Sequence, residues 1–91
     1  MLFVALLKAK GGTAESRIAH RAGWQYPEGV RNVSEYWLQT ADPTVVSVFE
    51  ADSIAPIMAV ATEWGDEFDV AVVPAIAGED GLELAKQAMQ G

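Results

Sequence analysis

Leu2-Phe3-Val4-Ala5-Leu6-Leu7 is an unbroken apolar run of strand length, followed by Lys8 and Lys10 and stopped at Gly11-Gly12. Successive side chains of a strand point to opposite faces, so a strand with one wet side alternates apolar and polar residues. This one carries apolar groups on both sides. The stretch has the length of an export signal's apolar centre, but no basic segment precedes it and the lysines follow it, the reverse of the export order. It reads as a strand covered front and back, and the cytoplasm is the expected compartment.

Outward from this run, one unit is written twice: an apolar strand, a short amphipathic helix ending on a tryptophan, and a second strand. The first copy spans Leu2 to Leu38 through Trp24, the second Val45 to Ile76 through Trp64, and the two tryptophans stand 40 residues apart. In the first copy Thr13 is the expected N-cap of a helix from Ala14 to about Gly23, with Glu15 in the turn where the helix dipole favours an anion. Ala14, Ile18 and Ala22 make a narrow apolar stripe on it. Pro27-Glu28-Gly29 is turn chemistry, and a strand from about Val30 to Gln39 follows. Asp42-Pro43 then marks a short connection between strands.

The second copy opens with the β-branched strand Val45 to Glu50. Its helix is expected to start near Asp52 or Ser53 as cap, with Pro56 in the first turn. Ile54, Ile57, Met58, Ala61 and Trp64 form its core stripe, and Gly65 is expected to end it in a left-handed cap. Asp69 to Ile76 is the fourth strand. From Gly78 a short terminal helix carries Leu82, Ala85 and Met89 on one side.

The order βαββαβ predicts an α+β, ferredoxin-like sandwich: a four-stranded antiparallel sheet in the order 4-1-3-2 with both helices on one face. Pro74 agrees, because proline is tolerated on an edge strand. Residues 1–91 are read as a single domain. The sheet's second face is then left bare. Val70-Ala71-Val72-Val73 is apolar on both sides, and on strand two Val33 and Trp37 are expected to point one way, Tyr36 and Leu38 the other. Covering that face needs a second copy, so the expected partner is the chain itself, in a two-fold homodimer joined through the sheet faces.

Composition narrows the function classes. The formal net charge of −7 argues against nucleic acid, whose phosphates demand a basic surface. The charge is uneven: residues 1–31 hold five basic side chains against two acidic ones, while the remainder holds only Lys86 against eleven acids. That asymmetry is solvated surface, or it supplies cations from the first helix to an anionic ligand or an acidic partner. No apolar run has the roughly 20 residues a membrane span needs. With no cysteine there is no disulfide, thiolate metal site or cysteine nucleophile. The acids around Glu50-Asp52 and Glu63-Asp66-Glu67-Asp69 lack the loop spacing of a calcium site, and Gly11-Gly12 lacks the pattern of a phosphate loop, so neither metal nor cofactor is expected.

Several pieces in order point to a family. Trp24 and the Pro27-Glu28-Gly29 turn, the strand bearing Trp37, Glu50-Ala51-Asp52 before the second helix, Trp64-Gly65-Asp66 at its end, and Asp69-Val70 leading to Val73-Pro74 resemble a small family of uncharacterised prokaryotic domains. That family looks like a member of the dimeric α+β barrel superfamily, and the resemblance covers about residues 2–80. It implies a ligand site between helices and sheet in each subunit. It implies no particular activity, since the superfamily includes quinol monooxygenases, muconolactone isomerase-like and chlorite dismutase-like enzymes, and regulatory domains.

His20, the only histidine, is the candidate catalytic base, with Arg17 and Arg21 close enough on the same helix to hold it neutral. Arg-x-x-His-Arg reads equally as a solvated helix face. Arg17, Trp24, Tyr36, Trp37 and Trp64, with Tyr26, are the candidate ligand-binding residues, against a competing reading as core and interface packing. Glu35, Trp37 and Gln39 share one strand face, the first place to look for an interface or a cavity. The leading expectation is a dimeric small-molecule-binding or accessory domain with an apolar pocket for a small apolar or anionic metabolite. The alternatives are a cofactor-independent monooxygenase- or isomerase-like enzyme with His20 as base, and a purely structural homodimer.

Overall fold

The apolar run at the N-terminus lies at the centre of the sheet. The computed structural model describes residues 1–90, and places β1 (Leu2–Ala9) between β3 (Val45–Ala51) and β4 (Phe68–Ala75), with β2 (Val30–Trp37) outside β3. All pairings are antiparallel and the edge-to-edge order β2-β3-β1-β4 is the expected one. Pro74 sits on edge strand β4, opposite Phe3. Helices α1 (Ala14–Ala22), α2 (Ala55–Trp64) and α3 (Gly78–Gln90) complete the α+β architecture. No helix among the described residues is long and apolar enough to cross a membrane.

One sheet face makes the core. Phe3, Ala5 and Leu7 of β1, Phe49 and Ala51 of β3 and Phe68 of β4 are buried against Ile57, Val60 and Trp64 of α2. Phe3 and Phe49 stack with centroids 6.2 Å apart, and Trp64 meets Phe68 edge-on at 5.8 Å. Burying an aliphatic or aromatic side chain of this size contributes about 1.5–3 kcal/mol, so this cluster holds most of the fold's driving force.

The other face is bare, as the two-sided strands predict. Leu6, Val73 and Tyr36 are 39, 45 and 59% exposed there, around half-buried Val4, Val46 and Val48. Helix α3 buries none of its residues, and Leu82, Leu84 and Met89 lie open to solvent.

Local chemistry sets the ends of the elements. Thr13 caps α1 as expected, through a reciprocal box with Ser16: Ser16 N donates to Thr13 Oγ1 at 3.0 Å and Thr13 N donates to Ser16 Oγ at 2.9 Å. Gly29 takes a φ of +91° in the turn before β2. Gly11 is a close approach: a Cβ there would stand 2.4 Å from the Asp66 carbonyl oxygen, and Lys10 N and Gly11 N both donate to the Glu67 carbonyl.

Four local expectations are corrected. Neither Asp52 nor Ser53 caps α2: Ile54 occupies the cap position in helical conformation without a side-chain bond. Gly65 ends α2 at φ −65°, in the right-handed region. The core stripe of α2 is Ile57, Val60 and Trp64, at i, i+3 and i+7, which turns the edge bearing Ile54 and Met58 outward. In β2 the register shifts between Asn32 and Ser34, so Val33 is the extra residue of a bulge and does not share a ladder face with Trp37.

Candidate functional site

Helix α1 lies over the same sheet face as α2 but buries no residue. The space left beneath it is a cavity of about 260 Å³, reached by Ala14, Arg17, Ile18 and Arg21 of α1 and floored by Ala5, Leu7, Ser47 and Phe49 of the sheet. Positions 14, 17, 18 and 21 follow the i, i+3, i+4, i+7 spacing of one helix face. Trp24, Tyr26, Trp37, Trp64 and Phe68 complete a mainly aromatic wall. Trp24 is the hinge of that wall, its ring 4.7 Å from Tyr26 and edge-on to Trp64 at 5.5 Å.

A carboxylate organises one end. Glu35, on the helix-facing side of β2 opposite Ser47, accepts three donors: Arg21 Nε at 3.1 and 3.2 Å to its two oxygens, Trp37 Nε1 at 2.7 Å, and Tyr26 Oη at 3.4 Å. Tyr26 also shares a 2.6 Å hydrogen bond with the hydroxyl of buried Ser47. Burial pushes the Tyr26 hydroxyl above its ordinary pKa, against a lowering by the Ser47 bond, so the phenol is neutral near pH 7. Arg21 lies beside the Trp24 and Tyr26 rings, 5.7 Å from each centroid, and Nη1 donates to the Trp24 carbonyl.

Arg17 is held differently. Its Nη1 donates to the Gly11 carbonyl at 2.7 Å and its guanidinium lies 5.8 Å from the Phe68 ring centroid. Among the described residues it forms no salt bridge.

His20 stands outside the cavity wall. Its ring stacks on Trp64 at 3.8 Å, Nε2 donates to Glu63 at 2.9 Å, and Nδ1 donates to Glu67. Both ring nitrogens face carboxylates, an arrangement only the imidazolium satisfies fully. Its pKa is accordingly raised, first by the Glu63 hydrogen bond and then by Glu67, with desolvation opposing. This corrects the expectation that Arg17 and Arg21 hold it neutral: they point to the cavity, and the acids of the α2 end face the ring.

Of the residues singled out from the sequence, the structure brings Arg17, Trp24, Trp37 and Trp64 together around the cavity, with Tyr26. It does not bring Tyr36 there, because Tyr36 pairs with Val46 on the open sheet face. Sequence reasoning missed Arg21, Ser47 and the central position of Glu35. The signal for Glu35 was present: an acid on the inward face of a strand must find donors. Among the described residues no group of acids and histidine has the arrangement of a metal site.

The architecture is that of a small α+β domain whose sheet is gripped by one helix and roofed by another, with an aromatic cavity beneath the roof. The chain belongs to the family described as Domain of unknown function (DUF3303), whose model matches residues 1–89. Comparison with curated proteins gives no match, and comparison with solved structures gives none.

Proposed function

We propose that this protein binds a small, largely apolar molecule beneath α1, as one subunit of a homodimer joined through the open sheet faces. The cavity carries this reading. Its volume is about 260 Å³, its walls are largely aromatic, and Arg21, Tyr26 and Ser47 gather with Glu35 at one end, the usual composition of a small-ligand site. An apolar cavity of about 150 Å³ holds benzene in another protein, so the space suits one ring with substituents or two fused rings. Arg17, Trp24, Trp37 and Trp64 are its binding residues. Trp37, 55% exposed, marks the mouth.

The dimer is supported by the bare face around Leu6, Tyr36 and Val73, which a like sheet packed at roughly 10 Å would cover. Tyr36 belongs to that contact. The chain is taken as one ferredoxin-like domain, of the dimeric α+β barrel kind. The enzyme reading with His20 as base has no observation in its favour, since that ring is outside the cavity and engaged at both nitrogens. A purely structural role leaves the cavity without a purpose.

Native mass spectrometry of protein purified from its own source tests both halves. Twice the single-chain mass, with an added small-molecule mass released on denaturation, is the expected result. A bare single-chain mass, with no calorimetric response to one- and two-ring aromatic probes, overturns the proposal.

A further inference from the structure

We infer that the molecule the cavity takes is an amphipathic monoanion: a flat apolar body of one or two rings bearing a single carboxylate or similar oxyanion, which Arg17 receives. The inference rests on the reading of the cavity as a binding site and adds the charge of the ligand to it.

The fixed charge around the cavity does not balance. Three ionic side chains reach the cavity: Arg17, Arg21 and Glu35. Arg21 and Glu35 neutralise each other through one forked hydrogen bond, Nε donating to both carboxylate oxygens at 3.1 and 3.2 Å. Glu35 also accepts from Trp37 and Tyr26, which leaves it little capacity for a cationic ligand. Arg17 is the surplus charge. A guanidinium carries five N–H donors, and here one of them meets a neutral carbonyl, that of Gly11. The acids at the end of α2, Glu63 and Glu67, are engaged by His20. The lining therefore presents one uncompensated positive charge beside an apolar wall.

The guanidinium is also positioned. The Gly11 carbonyl holds one edge, and the Phe68 ring stands beside it. Gly11 itself is pinned by its close approach to Asp66. A cation so fixed loses little side-chain entropy on receiving a ligand, and an arginine fork suits the two oxygens of a carboxylate. Trp24 and Trp37, the more open aromatic side chains of the lining, supply the apolar surface for the body of the ligand, above the edge of buried Trp64.

Calorimetric titration of the full chain with three isosteric probes tests this: 2-naphthoate, 2-naphthalenemethanol and 2-naphthylmethylammonium. The wild type is expected to bind the carboxylate at least tenfold more tightly than the alcohol, the fold-change of one charge-assisted hydrogen bond, and the ammonium most weakly. In Arg17→Gln the preference for carboxylate over alcohol falls below about twofold. The ranking in the wild type needs no variant, so it stands even where the substitution disturbs α1, which circular dichroism reports. Equal binding of carboxylate and alcohol by the wild type overturns the assignment to Arg17 and leaves the cavity reading in place. Binding of none of the three overturns both.

Discussion

Helices α1 and α2 are of nearly equal length, 9 and 10 residues, and cover the same sheet face by different means. α2 drives Ile57, Val60 and Trp64 into the sheet, and nothing lies between them and Phe49 or Phe68. α1 buries nothing and is fastened at its margins by long polar side chains: Arg17 to the Gly11 carbonyl, His20 to Glu63 and Glu67, Arg21 to Glu35. Short apolar side chains must touch what they grip, whereas arginine and histidine reach several ångströms and act as struts. The difference in fastening is the reason a cavity exists under one helix and not under the other.

The apolar grip of α2 centres on Ile57. Its side chain is 2% exposed at the centre of the α2 contact. Ile57→Ala leaves a cavity in close-packed surroundings and is expected to cost about 2–5 kcal/mol, a large share of the roughly 5–15 kcal/mol that holds a domain together. Urea unfolding at constant m-value measures it. A loss below about 1 kcal/mol would mean that α2 does not anchor to the sheet through this stripe.

The asymmetry between the helices was only half legible in the sequence. Strand number, order and the bare second face follow from short-range signals: the doubled apolar run at Leu2–Leu7, the turn at Pro27-Glu28-Gly29, and Pro74 on an edge. The α2 stripe was legible at Ile57 and Trp64, but the apolar residues on both flanks, Met58 and Val60, leave its exact phase open, and it is Val60 that turns inward. For α1 the pattern misleads. Ala14, Ile18 and Ala22 read as a packed stripe, yet the inward face is Ala14, Arg17, Ile18 and Arg21, half of it charged. What makes that face stand off the sheet is where the polar side chains of α1 find partners: Arg17 reaches only to Gly11, six residues away, but Arg21 and His20 find theirs far along the chain. Glu63 and Glu67 lie 43 and 47 residues from His20, and no local spacing announces them. The same holds for Glu35, whose strand face was left open between interface and cavity and whose tie to Arg21 depends on how α1 crosses β2.

The polar fastening of α1 carries a pH signature that the apolar fastening of α2 lacks. The folded-state pKa of His20 is raised above its ordinary 6.5 by Glu63 and Glu67. Its contribution to stability is therefore fully present below the unfolded value, while the two carboxylates remain charged, and is lost as pH rises through the folded value. The His20 side chain is 25% exposed, so the sum is modest, about 1 kcal/mol or less. His20→Gln is expected to lower the urea midpoint at pH 5.5–6.5 and to converge on the wild type by about pH 9. A difference that stays constant across this range would show that stacking on Trp64, and not the charge on the ring, fastens the helix.

The smallest effect is expected where the Ile57 substitution is repeated on the other helix. Ile18 is 50% exposed and borders the cavity. Ile18→Ala removes methylene groups that contribute about 0.8 kcal/mol each when fully buried, and here they are half wet, so the transfer loss is about 1 kcal/mol. Alanine returns a few tenths of a kcal/mol through its higher helix propensity. No new void penalty arises, since the space beside Ile18 is already open. The net change is expected to be about 0.5 kcal/mol, several-fold below that of Ile57→Ala measured on the same protein under the same conditions. If the two substitutions cost alike, α1 is packed onto the sheet in solution as tightly as α2, and there is no room beneath it for a ligand.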